Sequence, residues 1–327
     1  MSGGYLCIQG WGEGATASQV GTLTAGTGVD SILSPDSACN AVLGDFSTIV
    51  VESAATSATF STSLAMNPDD SALDGLVTVA LMGLRIQPLD VDTVMRCTMT
   101  AGSETYQSAA PVYAQEMNKE LPSGAIDNHE LFGSGVTNLV FHDLPVSVLT
   151  SGVEFELALD AGDIASKSIR IGSVFLGLQI PLEFNPRTFS WSVGKVNDEF
   201  DSRAGVRYAS NGILRRTVSF DAQLMALETI TGFGADFYTD SVPLPSMFRA
   251  GIANIGQPML LSPYPYAVTG QDWDASSVDV NERLFSIRQN FFSLYGLLDR
   301  SADFSIEAFN ADLGTQYRGR FRFIEVR

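Results

Sequence analysis

The chain has 327 residues, 45% hydrophobic and only 17% charged, which is the composition of a folded globular protein and excludes a disordered one. Its net charge of -18, with three lysines (Lys119, Lys167, Lys195), lacks the basic footprint of a nucleic-acid binder, so no nucleic-acid partner is expected. No run of ~18 apolar residues predicts membrane insertion, and the start Met1-Ser-Gly-Gly-Tyr-Leu-Cys lacks the pattern of a signal peptide, so synthesis in a cytoplasm is expected.

Short β-prone runs open the chain: Tyr5–Gln9, Ser47–Glu52, Ala58–Leu64, Leu76–Gln87 and Val94–Thr100. Clusters of Gly, Pro, Asn and Asp separate them. Alternation in Thr59–Leu64 and Val94–Met99, together with the β-branched content, predicts a sandwich or jelly roll. An irregular section is expected from Tyr106 to Gly135, with a helical turn over Val112–Lys119. Strands resume at Leu139–Phe141, Val153–Ala158 and Ile169–Leu176. Val153-Glu154-Phe155-Glu156-Leu157 puts apolar residues on one face and acids on the other, the mark of a half-buried strand.

Pro181–Pro186 reads as a boundary, giving an acidic jelly-roll-like sandwich over 1–180 and a second β unit over 181–327. The charge agrees with that division. Residues 1–180 hold 5 basic and 20 acidic side chains, net -15; residues 181–327 hold 14 and 17, net -3. In the second unit, strands are expected at Thr188–Val193 and Arg215–Leu224, with a hairpin signal at Asn211-Gly212. A helix is expected at Leu224–Tyr238 or Pro243–Ile255. Met259–Leu261, Arg283–Gly296, Phe304–Phe309 and Tyr317–Val326 complete the set. In the last of these, one face packs while the other presents Arg318, Arg320 and Arg322. The fold class is therefore mainly β: two β-sandwich domains, the second with one packed helix.

The chemistry-bearing residues are sparse. Cys7, Cys39 and Cys97 have no Cys-x-x-Cys spacing, so zinc is not expected. They read as buried free thiols, with a Cys7–Cys39 disulfide as the alternative. His129 and His142 bracket an expected loop. His142-Asp143 has the composition of half an acid–base pair, but a loop histidine without function is the commoner case. Neither a Gly-x-Ser-x-Gly elbow nor a phosphate loop is present. No catalytic residue, cofactor site or metal site is assigned. The acidic clusters Asn67–Gly75 and Gln271–Asp279 have oxygen ligands for Ca²⁺ without EF-hand spacing, and read as solvated turns. Trp11, Trp191 and Trp273 are able to stack on sugars, though packing is the commoner role of any one of them; Trp11 and Trp273 are the candidate glycan contacts. Arg203, Arg207, Arg215, Arg216, Arg318 and Arg320 are the candidate subunit interface, because arginine is favoured at interfaces and can grip the acidic surface of a neighbouring copy.

One family resemblance spans roughly residues 170–327. The segments are Phe184-Asn-Pro-Arg-Thr-Phe-Ser-Trp-Ser-Val-Gly, Ser202-Arg-Ala-Gly, and Arg215-Arg216 leading into a strand. Gly256-Gln-Pro-Met-Leu-Leu-Ser-Pro-Tyr-Pro, Leu294-Tyr-Gly-Leu-Leu and the closing Arg-Phe-Ile-Glu-Val follow. Together they resemble tailed-bacteriophage virion proteins, and the element order is similar to the tail-tube-like domain of distal tail proteins. The sandwich comes first here, unlike the layout of that family. The resemblance implies a non-enzymatic subunit in the virion tail, at the tail tip or baseplate. It would form a symmetric ring with itself and contact other tail proteins, with host-surface glycan as a further partner. The alternatives are a capsid decoration or receptor-binding protein, or a carbohydrate-binding or carbohydrate-active module.

Overall fold

A computed structural model describes residues 4–9, 23–33, 47–62, 76–89, 91, 93–112, 137–145, 152–182, 190–196, 199–201, 207–209, 213–225, 259–263, 268–269, 289–290, 292–298, 305–309 and 316–325. The described residues are almost all strand. In the first part these are β1 (Gly4–Gln9), β2 (Thr24–Ala25), β3 (Val29–Leu33), β4 (Ser47–Val51), β5 (Ala58–Thr62), β6 (Leu76–Gln87), β7 (Thr93–Ala101), β8 (Glu104–Val112), β9 (Thr137–Pro145), β10 (Val153–Leu159), β11 (Ser168–Ile171) and β12 (Ser173–Leu182). In the second part they are β13 (Ser190–Val196), β14 (Glu199–Asp201), β15 (Arg207–Ala209), β16 (Ile213–Met225), β17 (Met259–Ser262), β18 (Val268–Thr269), β19 (Leu294–Leu298), β20 (Ser305–Phe309) and β21 (Gln316–Glu325). Mainly β, as the patterning predicts, the fold has several antiparallel sheets.

A 13-stranded sheet runs β13-β16-β21-β19-β17-β1-β12-β6-β11-β4-β3, with β20 beside β21 and β9 beside β6. A 6-stranded sheet runs β18-β8-β7-β10-β5-β2, and β14 and β15 form a separate ribbon. The main core lies between the two larger sheets. Ile49, Val79, Leu81, Phe141 and Leu176 from the first meet Phe60, Met95, Met99, Phe155 and Leu157 from the second. Phe155 stacks on Phe60 at 5.3 Å and tilts against Phe141 at 6.2 Å. The two sheets thus pack as a sandwich. The alternation of β7 and β10 produces it directly, since every second side chain of each strand is buried.

The two parts of the chain share structure. β1 lies between β12 and β17, pairing Cys7 with Gln179 on one side and with Leu260 on the other. β18 extends the 6-stranded sheet from the second part by pairing with β8 at Tyr106 and Gln107. β12 ends at Leu182, within the expected boundary Pro181–Pro186.

Three expectations are corrected in detail. Residues 104–112 form β8, where an irregular section was expected from Tyr106. Among the described residues, β18 pairs with β8 only at 106–107, away from Pro111, whose missing N–H would interrupt a ladder there. The single strand expected at Ile169–Leu176 breaks at Gly172, which donates to the Met82 carbonyl at 2.9 Å. There Gly83 takes φ 69°, and a Cβ on it would press on the Gly172 backbone at 3.3 Å. Within Arg283–Gly296, Gln289, Asn290 and Phe292 are helical, and the strand begins only at Leu294. The helix candidate Pro243–Ile255, nearly all of Leu224–Tyr238, the turn after Val112 and the Asn211-Gly212 hairpin lie outside the described residues.

Candidate functional site

Two features stand out: a buried polar knot at β1 and an exposed arginine row on β21. The knot arises from a register break. β9 pairs with β6 as Val77↔Leu144 and Val79↔Phe141, so His142 and Asp143 together oppose Thr78. Asp143 takes φ 60° at this bulge, which returns Leu144 to the main core while His142 keeps the parity of Val140. His142 is fully buried, so the loop expected around it is corrected to a strand interior.

Around it, the outer face of the large sheet collects Tyr5 and Cys7 from β1, Thr78 from β6 and Gln179 from β12. His142 Nδ1 lies 2.8 Å from Thr78 Oγ1, while the Cys7 thiol donates to the same oxygen at 3.2 Å and Gln179 Nε2 at 2.9 Å. A hydroxyl has one proton and two lone pairs. With both lone pairs taken, the Thr78 proton must go to Nδ1. This arrangement suits the neutral tautomer protonated on Nε2, and Nε2 has no hydrogen-bond partner among the described residues. The Tyr5 ring tilts over the imidazole at 5.1 Å and its hydroxyl donates to Asp143 Oδ1 at 2.8 Å.

Burial drives His142 down to about 3 and Cys7 up to about 12. Tyr5 is also raised, first by burial and then by Asp143. A thiol and an imidazole both held neutral are not a thiolate–imidazolium pair. Asp143 is spent on Tyr5, so the acid–base reading of His142-Asp143 finds no reactive geometry. Cys7 is a free thiol, as is buried Cys97; this corrects the Cys7–Cys39 disulfide alternative, and Cys39 itself lies outside the described residues.

A second polar group bridges the sheets. Asn290 Oδ1 accepts from Val140 N at 2.9 Å, and Nδ2 donates to Ser108 Oγ and the Ala109 carbonyl, both at 2.7 Å. Gln289 adds a bond to the Val140 carbonyl at 3.0 Å. One helical turn of the second part thus clamps β8 to β9.

The candidate interface arginines separate into different environments. Arg216 is buried, its Nη2 2.6 Å from Glu325 Oε1 and its backbone N–H donating to Oε2 at 3.1 Å. That pair belongs to the interior of this chain, which corrects Arg216 as an interface residue. Arg320 is 78% exposed at its side chain and touches Asp221 at 3.0 Å. Arg322 is exposed two residues along the same face. Arg318 and Arg215 lie on β21 and β16, and Arg207 on β15, with undescribed side chains; Arg203, Trp11 and Trp273 lie outside the described residues, as do both Ca²⁺ candidates. Elsewhere, the outer face of the 6-stranded sheet carries Glu154 and Glu156, both exposed, among Ser61, Thr59, Thr100 and Thr98. Among the described residues no group of three His, Cys, Asp or Glu is placed to hold a metal ion.

Comparison with known proteins gives little. No protein-family model matches the chain, and no curated protein matches it. Among solved structures, it is similar to the binding domain of botulinum neurotoxin DC, solved in complex with rat synaptotagmin II, at 8% identity and TM-score 0.27 over 98% of this chain and 94% of that one. A receptor-binding domain aligns at 7% identity and TM-score 0.26 over 98% and 93%. Scores this low do not establish a common fold.

Proposed function

We propose that the chain is a non-enzymatic structural subunit of a tailed-phage virion, placed at the tail tip or baseplate and assembled with itself into a symmetric ring. Residues 181–327 supply the tube contacts and the arginine side of the ring contact; residues 1–180 supply its acidic side and face other tail proteins and host-surface glycan. The observation that carries this reading is the segregation of charge. Arg320 and Arg322 stand about 7 Å apart on one exposed face of β21, the two-residue repeat of a strand. Glu154 and Glu156 stand on the outer face of another sheet with the same repeat. An arginine row and an acidic row on different faces of one chain fit a head-to-tail contact, which closes into a ring when its rotation divides a full turn. Arginine in such a row grips carboxylates through paired donors.

The experiment is purification of intact particles followed by labelling and imaging of this subunit. The expected result is a fixed copy number and a ring at the tail tip. A monomer absent from particles, or one that turns over a glycan, contradicts the proposal.

A further inference from the structure

We propose that β1 is an acid-opened latch, in which proton uptake by His142 releases β1 from between β12 and β17. The inference stands independently of the ring. Its basis is the donor count in the knot. Nδ1 is the one acceptor site left on the neutral ring, and the Thr78 hydroxyl fills it at 2.8 Å. A proton arriving there turns Nδ1 into a donor facing an oxygen already receiving Cys7 and Gln179. It also faces Gln179 Nε2, another donor, at 3.4 Å. The hydroxyl cannot serve three donors, so the Cys7 or Gln179 bond is lost. Both bonds hold β1 and β12 to β6.

Among the described residues the Asp143 carboxylate is the one negative charge near the ring; it acts on Cys7 and Tyr5, while burial governs His142. The titratable groups facing the ring or its shell are Tyr5 and Cys7 on β1, Asp143 on β9 and Tyr295 on β19. Burial keeps Cys7 and Tyr295 neutral, each raised to about 12, and Tyr5 is raised as well. The Asp143 carboxylate is engaged by the Tyr5 hydroxyl. Opening β1 exposes the imidazole to water and restores its ordinary affinity for a proton.

The sign follows from linkage. The closed form holds His142 at about 3, below the ordinary 6.5. Closure is therefore fully stable above about pH 6.5 and weakens continuously as pH falls toward 3. The open-to-closed ratio rises about 100-fold at pH 4.5.

Hydrogen exchange resolved by peptide tests this on the full chain. Corrected for intrinsic exchange, the opening of residues 4–9 should rise about 100-fold between pH 7 and 4.5, while residues 93–101 in β7 stay protected. His142→Asn should remove the pH dependence of β1. Equal opening of β1 and β7, or the same pH dependence in His142→Asn, overturns the latch. Should that variant fail to fold, the wild-type chain decides alone. With only two histidines, ¹⁵N spectra resolve both rings. His142 should stay neutral and protonated on Nε2 below pH 5, and titration near 6.5 in the folded chain overturns the proposal.

Discussion

Removing one partner of the Arg216–Glu325 pair leaves the other charge buried within the sheet. Arg216→Met or Glu325→Gln should therefore lower the unfolding free energy by about 3–5 kcal/mol in urea titration. The double variant Arg216→Met with Glu325→Leu should recover most of that loss, because desolvation offsets much of what a buried pair gains. The alternation contained the signal for this pair. Arg216 shares parity with Val218 and Phe220, and Glu325 with Phe321 and Phe323, all buried. Thr78 and Gln179 were less legible. Each is one polar side chain in an apolar run, and its role depends on a bulge that no periodicity announces. At the same scale, Cys7 and Cys97 should resist alkylation at pH 8 in the native chain and react in urea. Burial raises both thiols, Cys7 to about 12 and Cys97 well above its ordinary value. Mass-spectrometric mapping of the labelled sites checks it, and rapid native labelling of either would contradict the buried placement.

Strands were the legible elements, because two-residue periodicity and β-branched content mark them locally. The pattern of Leu76–Gln87 has the same ends as β6, whereas Pro111 points to a loop where β8 forms. Which strands neighbour one another was not legible. The insertion of β1 between β12 and β17 depends on partners more than 160 residues away in sequence. The clamp formed by Asn290 was equally hidden, since its three bonds reach residues 108, 109 and 140. Asn290→Ala should leave the Val140 N–H and Ala109 carbonyl without this partner, at about 1–3 kcal/mol each, and lower the melting temperature by several degrees. A variant as stable as the wild type would show that the clamp contributes nothing. Gly296 offers a test of close strand approach, because a Cβ there would run into the Ile324 carbonyl across the β19–β21 pairing. Gly296→Ala should destabilise the chain in thermal unfolding far more than alanine at an exposed position such as Ser192.

At the scale of the molecule, the acidic first part and the arginine-bearing second part were visible in composition, and the structure gives that difference faces. Assembly driven by Arg320 and Arg322 against Glu154 and Glu156 should weaken with salt, since exposed charges are screened over about 8 Å at physiological ionic strength. It should survive changes at Arg216 that leave the fold intact. The most direct measurement is native mass spectrometry of the full chain with charge reversal. The account predicts one closed oligomer for the wild type, monomers for Arg320→Glu with Arg322→Glu, and restored rings when that variant also carries Glu154→Arg and Glu156→Arg. A wild-type chain that stays monomeric at assembly concentrations, or a reversed variant that forms the same ring, would contradict it.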